Sequence, residues 1–147
     1  MSLSQIFDIA GSGMAAQSIR LNTTASNLAN AETASSSTGD VYRARKPVFA
    51  AVQHSVMQQQ LGKDFMQDTP ESKGVVVKGI VESEAPLEMR YQPDHPQANE
   101  QGYVFYPNVN VVEEMADMMS ASRSFQTNVE IMDAAKTMMQ RLLTLGQ

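Results

Sequence analysis

Few residues in this 147-residue chain could do chemistry. There are two histidines, His54 and His95. His95 lies in Asp94-His95-Pro96, with Tyr91 and Glu100 close in sequence. An imidazole beside a carboxylate could relay a proton or hold a metal ion, but a metal site needs three or four converging ligands, and this spacing supplies no ligand motif. Asp94 and Pro96 read instead as the turn formers of a tight loop. His54 stands in a Gln-rich stretch without a partner. Carboxylates are paired at Glu82/Glu84, in a turn, and at Glu113/Glu114, at a helix start where the helix dipole accounts for them. There is no cysteine, which excludes disulfides, thiol catalysis and cysteine-ligated metals. No glycine-rich phosphate loop and no nucleophile elbow is present. The chain is therefore not expected to be an enzyme, and no cofactor or metal is expected.

Composition narrows the partners. The net charge is -5 and no basic run or Trp occurs, so nucleic acid is not an expected partner. No apolar run reaches the ~20 residues of a membrane-spanning helix. The first basic residue is Arg20, and Asp8, Ser and Gly interrupt the early apolar positions, so no Sec-type leader is expected. If the protein leaves the cytoplasm, another route would carry it.

The elements that dominate the chain are its two ends. From Asn108 to Gln147, the positions Val111, Met115, Met118, Ser122, Phe125, Val129, Met132, Lys136, Met139 and Leu143 alternate steps of four and three, and eight of the ten are apolar. That is a helical seam of the coiled-coil kind. Asn110 followed by Glu113 has the spacing of a capping box. A second apolar row, opened by Val112, Ala116 and Met119 and closed by Ile131, Ala135, Met138, Leu142 and Leu145, predicts burial on more than one side. Six of the eleven methionines fall here, a surface able to adapt to its neighbours. At the other end, Leu3, Phe7, Ala10, Met14, Gln17, Leu21, Thr24 and Leu28 keep the same rhythm over residues 3–30, with Asp8 and Arg20 the only charges before Ala31. Ser2 and Gln5 have capping-box spacing, and Asn30 marks the helix end. A helix so poor in charge is made to be buried between other helices.

Between the ends, the pattern changes. Ala34 to Asp40 reads as a flexible connector. Val41 to Val52 reads as an edge strand, limited by Pro47, and its Arg43, Arg45 and Lys46 as a solvated edge. Residues 53–73 read as loop, with a short helix between His54 and Leu61. Gly74 to Val81 is rich in β-branched residues, and Leu87, Met89 and Tyr91 alternate with Glu88 and Arg90, so the two runs make a hairpin candidate. Tyr103 to Tyr106 is a short strand leading through Pro107 into the last helix. The fold class expected is α+β: long N- and C-terminal helices pairing as a coiled coil, with a small β-rich module inserted. The expected division is 1–33 with 108–147 as paired terminal helices forming an inner assembly domain, and 34–107 as connector and outer module.

These residues carry a family resemblance. Asn27-Leu28-Ala29-Asn30-Ala31-Glu32-Thr33 resembles the Asn-Leu-Ala-Asn motif shared by rod, hook and hook-associated proteins of the bacterial flagellum. Tyr91-Gln92-Pro93-Asp94-His95-Pro96-Gln97-Ala98, then Gly102-Tyr103-Val104 and Pro107-Asn108-Val109-Asn110, resembles the proximal-rod members of that axial family. The helix from Val112-Glu113-Glu114-Met115 through Ser122-Arg123-Ser124-Phe125-Gln126-Thr127-Asn128 is similar to their C-terminal helix. The Ser-rich stretch Ser35 to Gly39 departs from the wider family, where a Gly-Tyr pair more often follows directly. The resemblance implies a structural subunit of the flagellar basal-body rod, the drive shaft that crosses the periplasmic space. It implies export by the flagellar type III apparatus and polymerisation through the terminal helices. The implied partners are copies of the same chain, other rod proteins, the rod-base adaptor and the membrane ring.

On that reading the assembly surface is expected at Phe7, Met14, Leu21 and Leu28 of the first helix. On the last helix it is expected at Val111, Met115, Met118, Phe125, Val129, Met132, Met139 and Leu143. Its helices would order on assembly. The competing expectation is a self-contained coiled-coil dimer acting as an adaptor, but so few charges flank the N-terminal seam that nothing would fix its pairing. A small hydrolase or metal enzyme built on His95 is the remote third reading.

Overall fold

The computed structural model describes residues 3–52 and 74–145. Helix α1 (Leu3–Ala29) is followed by β1 (Arg45–Ala51), β2 (Val75–Glu82), β3 (Glu88–Tyr91), β4 (Tyr103–Tyr106) and helix α2 (Val111–Leu145). The chain is thus α+β, with two long helices and two small antiparallel sheets. The Gln-rich stretch and the short helix expected from His54 lie outside the described residues. At ~1.5 Å per residue the helices are about 40 and about 52 Å long.

Asn110 caps α2 as its spacing predicts: its Oδ1 accepts from the backbone N–H groups of Val112 at 3.1 Å and Glu113 at 3.4 Å. The other half of the capping box is replaced. The Glu113 carboxylate reaches Lys46 on β1 instead, at 3.0 Å. At the end of α1, Asn30 Nδ2 donates to Ser26 O at 2.8 Å and closes the last turn. Thr23 and Thr24, buried in this half of α1, donate to carbonyls of the preceding turn and need no other partner.

The helices pack antiparallel. Asn27 meets Glu114, Arg20 meets Asp117, and Gly13 lies against Asn128, so α1 descends as α2 ascends. The face on which they meet keeps Ala10 and Thr24 of the sequence seam but otherwise lies one position before its large apolar residues. Along α1 it runs through Ala10, Gly13, Arg20, Thr24 and Asn27, and along α2 through Glu114, Ala121, Asn128 and Ala135. Small and hydrogen-bonding side chains let the helix axes approach, where Met and Leu would hold them apart. A Cβ on Gly13 would already stand 3.0 Å from Asn128 Nδ2. Accordingly, the buried aliphatic residues among those described are alanines and two valines: Ala10, Ala16, Val41, Ala44, Val104, Ala121 and Ala135.

β1 pairs with β2 and β3 pairs with β4. This corrects the hairpin expected between residues 74–81 and 87–91. The reason is visible in the intervening turn. Ser83 N donates to Ala44 O at 2.7 Å, continuing the β1–β2 ladder, while Asn108 Nδ2 donates to Ala85 O at 2.9 Å and Ser83 O at 3.3 Å. The turn is held to the start of α2 and does not fold β3 back on β2. The β1–β2 ribbon carries a bulge between Val48 and Phe49, which leaves Lys78 as the extra residue. The Ala34–Asp40 stretch, expected as a flexible connector, is tied down. Ser35 exchanges two backbone hydrogen bonds with Phe105 of β4, each 3.0 Å.

Both strands of the β1–β2 ribbon pack on α1. One anchor is Ser12, whose Oγ accepts from Val75 N at 3.1 Å. Gly74 makes this approach possible: its φ is +126°, and a Cβ there would overlap Ser12 Oγ. Gly74→Ala is therefore expected to lower stability by about 1–3 kcal/mol in urea unfolding. Gly79→Ala, whose Cβ meets nothing within 4 Å, should change it by less than about 0.5 kcal/mol.

Candidate functional site

Two features stand out as candidates for function: a polar junction between the helices, and an apolar surface the fold leaves open. The junction is built on Asn27, which is fully buried. Its Oδ1 accepts from Arg45 N at 2.9 Å and from the Tyr42 hydroxyl at 2.9 Å. Its Nδ2 donates to Arg45 O at 2.8 Å and to Glu114 Oε1 at 3.0 Å. The amide thus engages both backbone groups of Arg45, as a neighbouring strand would, and uses all four of its bonding positions. α1, β1, the connector and α2 meet at this one side chain.

Glu114, its partner, is 3 % exposed. Its position four residues before Met118 and seven before Ala121 turns it inward, where the dipole argument had placed an ordinary surface acid. Burial pushes its carboxyl above the ordinary 4.5, against the pull of the Asn27 hydrogen bond and the Lys46 charge. Lys46 is itself held above its usual value by its hydrogen bond to Glu113. The three cations expected to line a solvated edge are engaged: Lys46 on Glu113, Arg45 on Glu82, and Arg43 on Ser83 O.

The rest of the motif residues serve local geometry. Leu28 is half-buried and Ala29 exposed in the last turn of α1. The His95 Nδ1 accepts from Gln97 N at 3.1 Å within the β3–β4 loop, and no metal-binding cluster occurs among the described residues. Pro96 is exposed beside it. Gly102, at φ +79°, leaves room for the Tyr91 ring, and Tyr103 N donates to Asn99 Oδ1. Pro107 is buried. Asn108 is a second junction, accepting from Ala44 N at 2.8 Å while holding the Ser83 and Ala85 carbonyls.

The expected assembly residues fall in two groups. Phe7, Met14, Leu21, Leu28, Val111, Met118, Phe125 and Met132 are half-buried against the paired helices. Met115, Val129, Met139 and Leu143 are exposed. With them on α2, Val112, Met119, Ile131, Met138 and Leu142 are also exposed, from 44 % at Ile131 to 76 % at Val112. α2 beyond Ala135 is open on every side through Thr144. The ribbon adds Val48, Phe49, Val76, Ile80 and Val81. So much exposed large apolar surface, beside a core of alanine and valine, marks a chain completed by neighbours.

A fold with paired terminal helices, a β insertion and such open faces is that of an axial assembly subunit, and similarity to known proteins agrees. Residues 7–34 match the family described as flagella basal body rod protein, and residues 100–145 match that described as flagellar basal body rod FlgEFG protein C-terminal. The class is thus the flagellar basal-body rod proteins. Flagellar basal-body rod protein FlgC of Salmonella typhimurium is 48 % identical over 147 residues, covering 100 % of both chains. The protein of that name from Escherichia coli O157:H7 is 46 % identical over the same span. That from Borreliella burgdorferi is 34 % identical over 152 residues, covering 100 % of this chain and 99 % of the relative. The chain belongs to the FlgC family of flagellar basal-body rod proteins.

Asn27→Asp keeps the shape of the junction but turns two donated bonds into repulsive contacts with Arg45 O and Glu114 Oε1. It is expected to cost roughly 3 kcal/mol or more at neutral pH in denaturant unfolding, the range for an uncompensated buried charge.

Proposed function

We propose that this protein is a structural subunit of the flagellar basal-body rod, polymerising through its terminal helices into the proximal part of the helical drive shaft. The observation that carries the reading is the exposed apolar surface of α2, from Met115 and Met119 to Leu142 and Leu143, on a chain whose own core is made of alanine and valine. Such a surface, covered by an unlike surface of the next copy, gives a heterologous contact that repeats into a helical array. Methionines on it accommodate neighbours that differ slightly in shape, as other rod proteins would.

In this reading, 1–33 with 108–147 form the inner axial layer, paired as a coiled coil. The seven-residue steps Gly13, Arg20, Asn27 on α1 and Glu114, Ala121, Asn128, Ala135 on α2 support that geometry. Residues 34–107 form the outer module. The partners are copies of the chain and other rod proteins, with the rod-base adaptor and the membrane ring at its end. The subunit reaches the periplasmic space through the flagellar type III export apparatus. No helix among the described residues is long and apolar enough to cross a membrane.

The test places charge on the exposed surface. Met138→Glu and Leu142→Glu touch side chains that are 56 % and 60 % exposed, so circular dichroism and the unfolding midpoint of the purified chain should stay unchanged. Rod assembly in cells carrying either variant should fail, with motility lost. Normal rods in both variants would refute the reading, and a discrete, stable dimer of the purified wild-type chain would return it to a dimerising adaptor.

A further inference from the structure

The charges around the Asn27 junction do not balance. Glu114 Oε1 accepts from Asn27, but Oε2 is buried with no hydrogen-bond partner among the described residues. Every cation near it is engaged elsewhere. From α1, Arg20 lies on Asp117 at 2.6 Å. From β1, Lys46 lies on Glu113 at 3.0 Å and Arg45 on Glu82 at 3.1 Å. The connector presents the neutral Tyr42 hydroxyl, which donates to Asn27. On α2 itself, the neighbours are two further acids, Glu113 and Asp117. The start of α2 favours a negative charge here, but its first N–H groups are turned to the Asn110 cap. Lys46, bonded to Glu113, attracts the Glu114 carboxylate only through space, and burial outweighs that pull; a carboxylate with no bonded cation, desolvated on one oxygen, is a group that takes up a proton.

We propose that Glu114 is a proton-binding site of the subunit: its carboxyl is protonated as α1, β1 and α2 close around it, so that closure of this junction is favoured by acid and opposed by alkali. The proton comes from solvent and resides on Oε2, leaving Oε1 free to accept from Asn27. No other group changes its bonds. The direction follows from linkage. A carboxyl whose value is raised in the folded chain above 4.5 gives its full stabilisation below that value. It loses this stabilisation as the pH rises through the raised one. The helix pair is thereby weakest in alkaline surroundings and tightens as the surroundings acidify.

The experiment is a pH series on the full-length chain. The Glu114 side-chain carboxyl is followed by carbon NMR, with the same carboxyl in the urea-unfolded chain as its reference. Glu114 is expected to titrate higher in the folded chain than in the unfolded one. Each unit of separation is a tenfold preference of the folded junction for the protonated form. Unfolding midpoints of the wild type and Glu114→Gln are then compared from pH 4.5 to about 8. The wild type should lose stability relative to the variant as pH rises. A Glu114 titration that superimposes on that of the unfolded chain would overturn the proposal, including the case in which the free chain leaves the junction open. So would superimposable pH profiles for wild type and variant. Should Glu114→Gln fail to fold, the carboxyl titration of the wild type decides alone.

Discussion

The structure depends on one saturated amide. Buried polar groups are costly when left unpaired, and the cost is avoided here only if four separate segments are in place together. Asn27 needs the backbone of Arg45, the Tyr42 hydroxyl and the Glu114 carboxyl at once. Removing any of them exposes the others. The junction therefore couples the two ends of the chain to the strand between them, and it does so with bonds of direction, where an apolar contact would tolerate sliding.

That choice explains the division of residue types. The contact between the helices is made of Gly, Ala, Thr and hydrogen-bonding side chains, which permit close approach but bury little apolar area. Many of the Met, Leu, Ile and Val that would make a conventional core, among them Met115, Met119, Ile131, Met138 and Leu142 of α2, are exposed instead. The chain thus uses specific polar contacts to set its internal geometry, and reserves its hydrophobic surface for association.

Much of the fold was legible in the sequence, and the failures have physical causes. Both helices were readable from their four-three rhythm, and the caps at Asn110 and Asn30 from residue type. The inner face keeps Ala10 and Thr24 of the seam but otherwise runs one position earlier, because periodicity weighs large apolar residues and the contact is built from Gly13, Ala121 and Asn128. Strand pairing was misread because adjacency in sequence favoured a hairpin, while the deciding contacts, from Asn108 and Ser83, join residues far apart. Glu114 looked like an ordinary first-turn acid, and only its spacing from Ala121 hinted at burial. The Asn-Leu-Ala-Asn motif was recognisable as a family mark before its chemistry was. The structure supplies that chemistry: the first asparagine is the junction and the last closes the helix.

The ribbon's attachment has a mechanical meaning. It is fastened to α1 at Asn27 through Arg45 and again at Ser12 through Val75, fifteen residues apart, or about 22 Å along the axis. A body held to a shaft at a single point can swivel about it. One held at two well-separated points turns only when the shaft turns. The strands are in this sense keyed to the helix, and two separated attachments resist a swivel that one would allow.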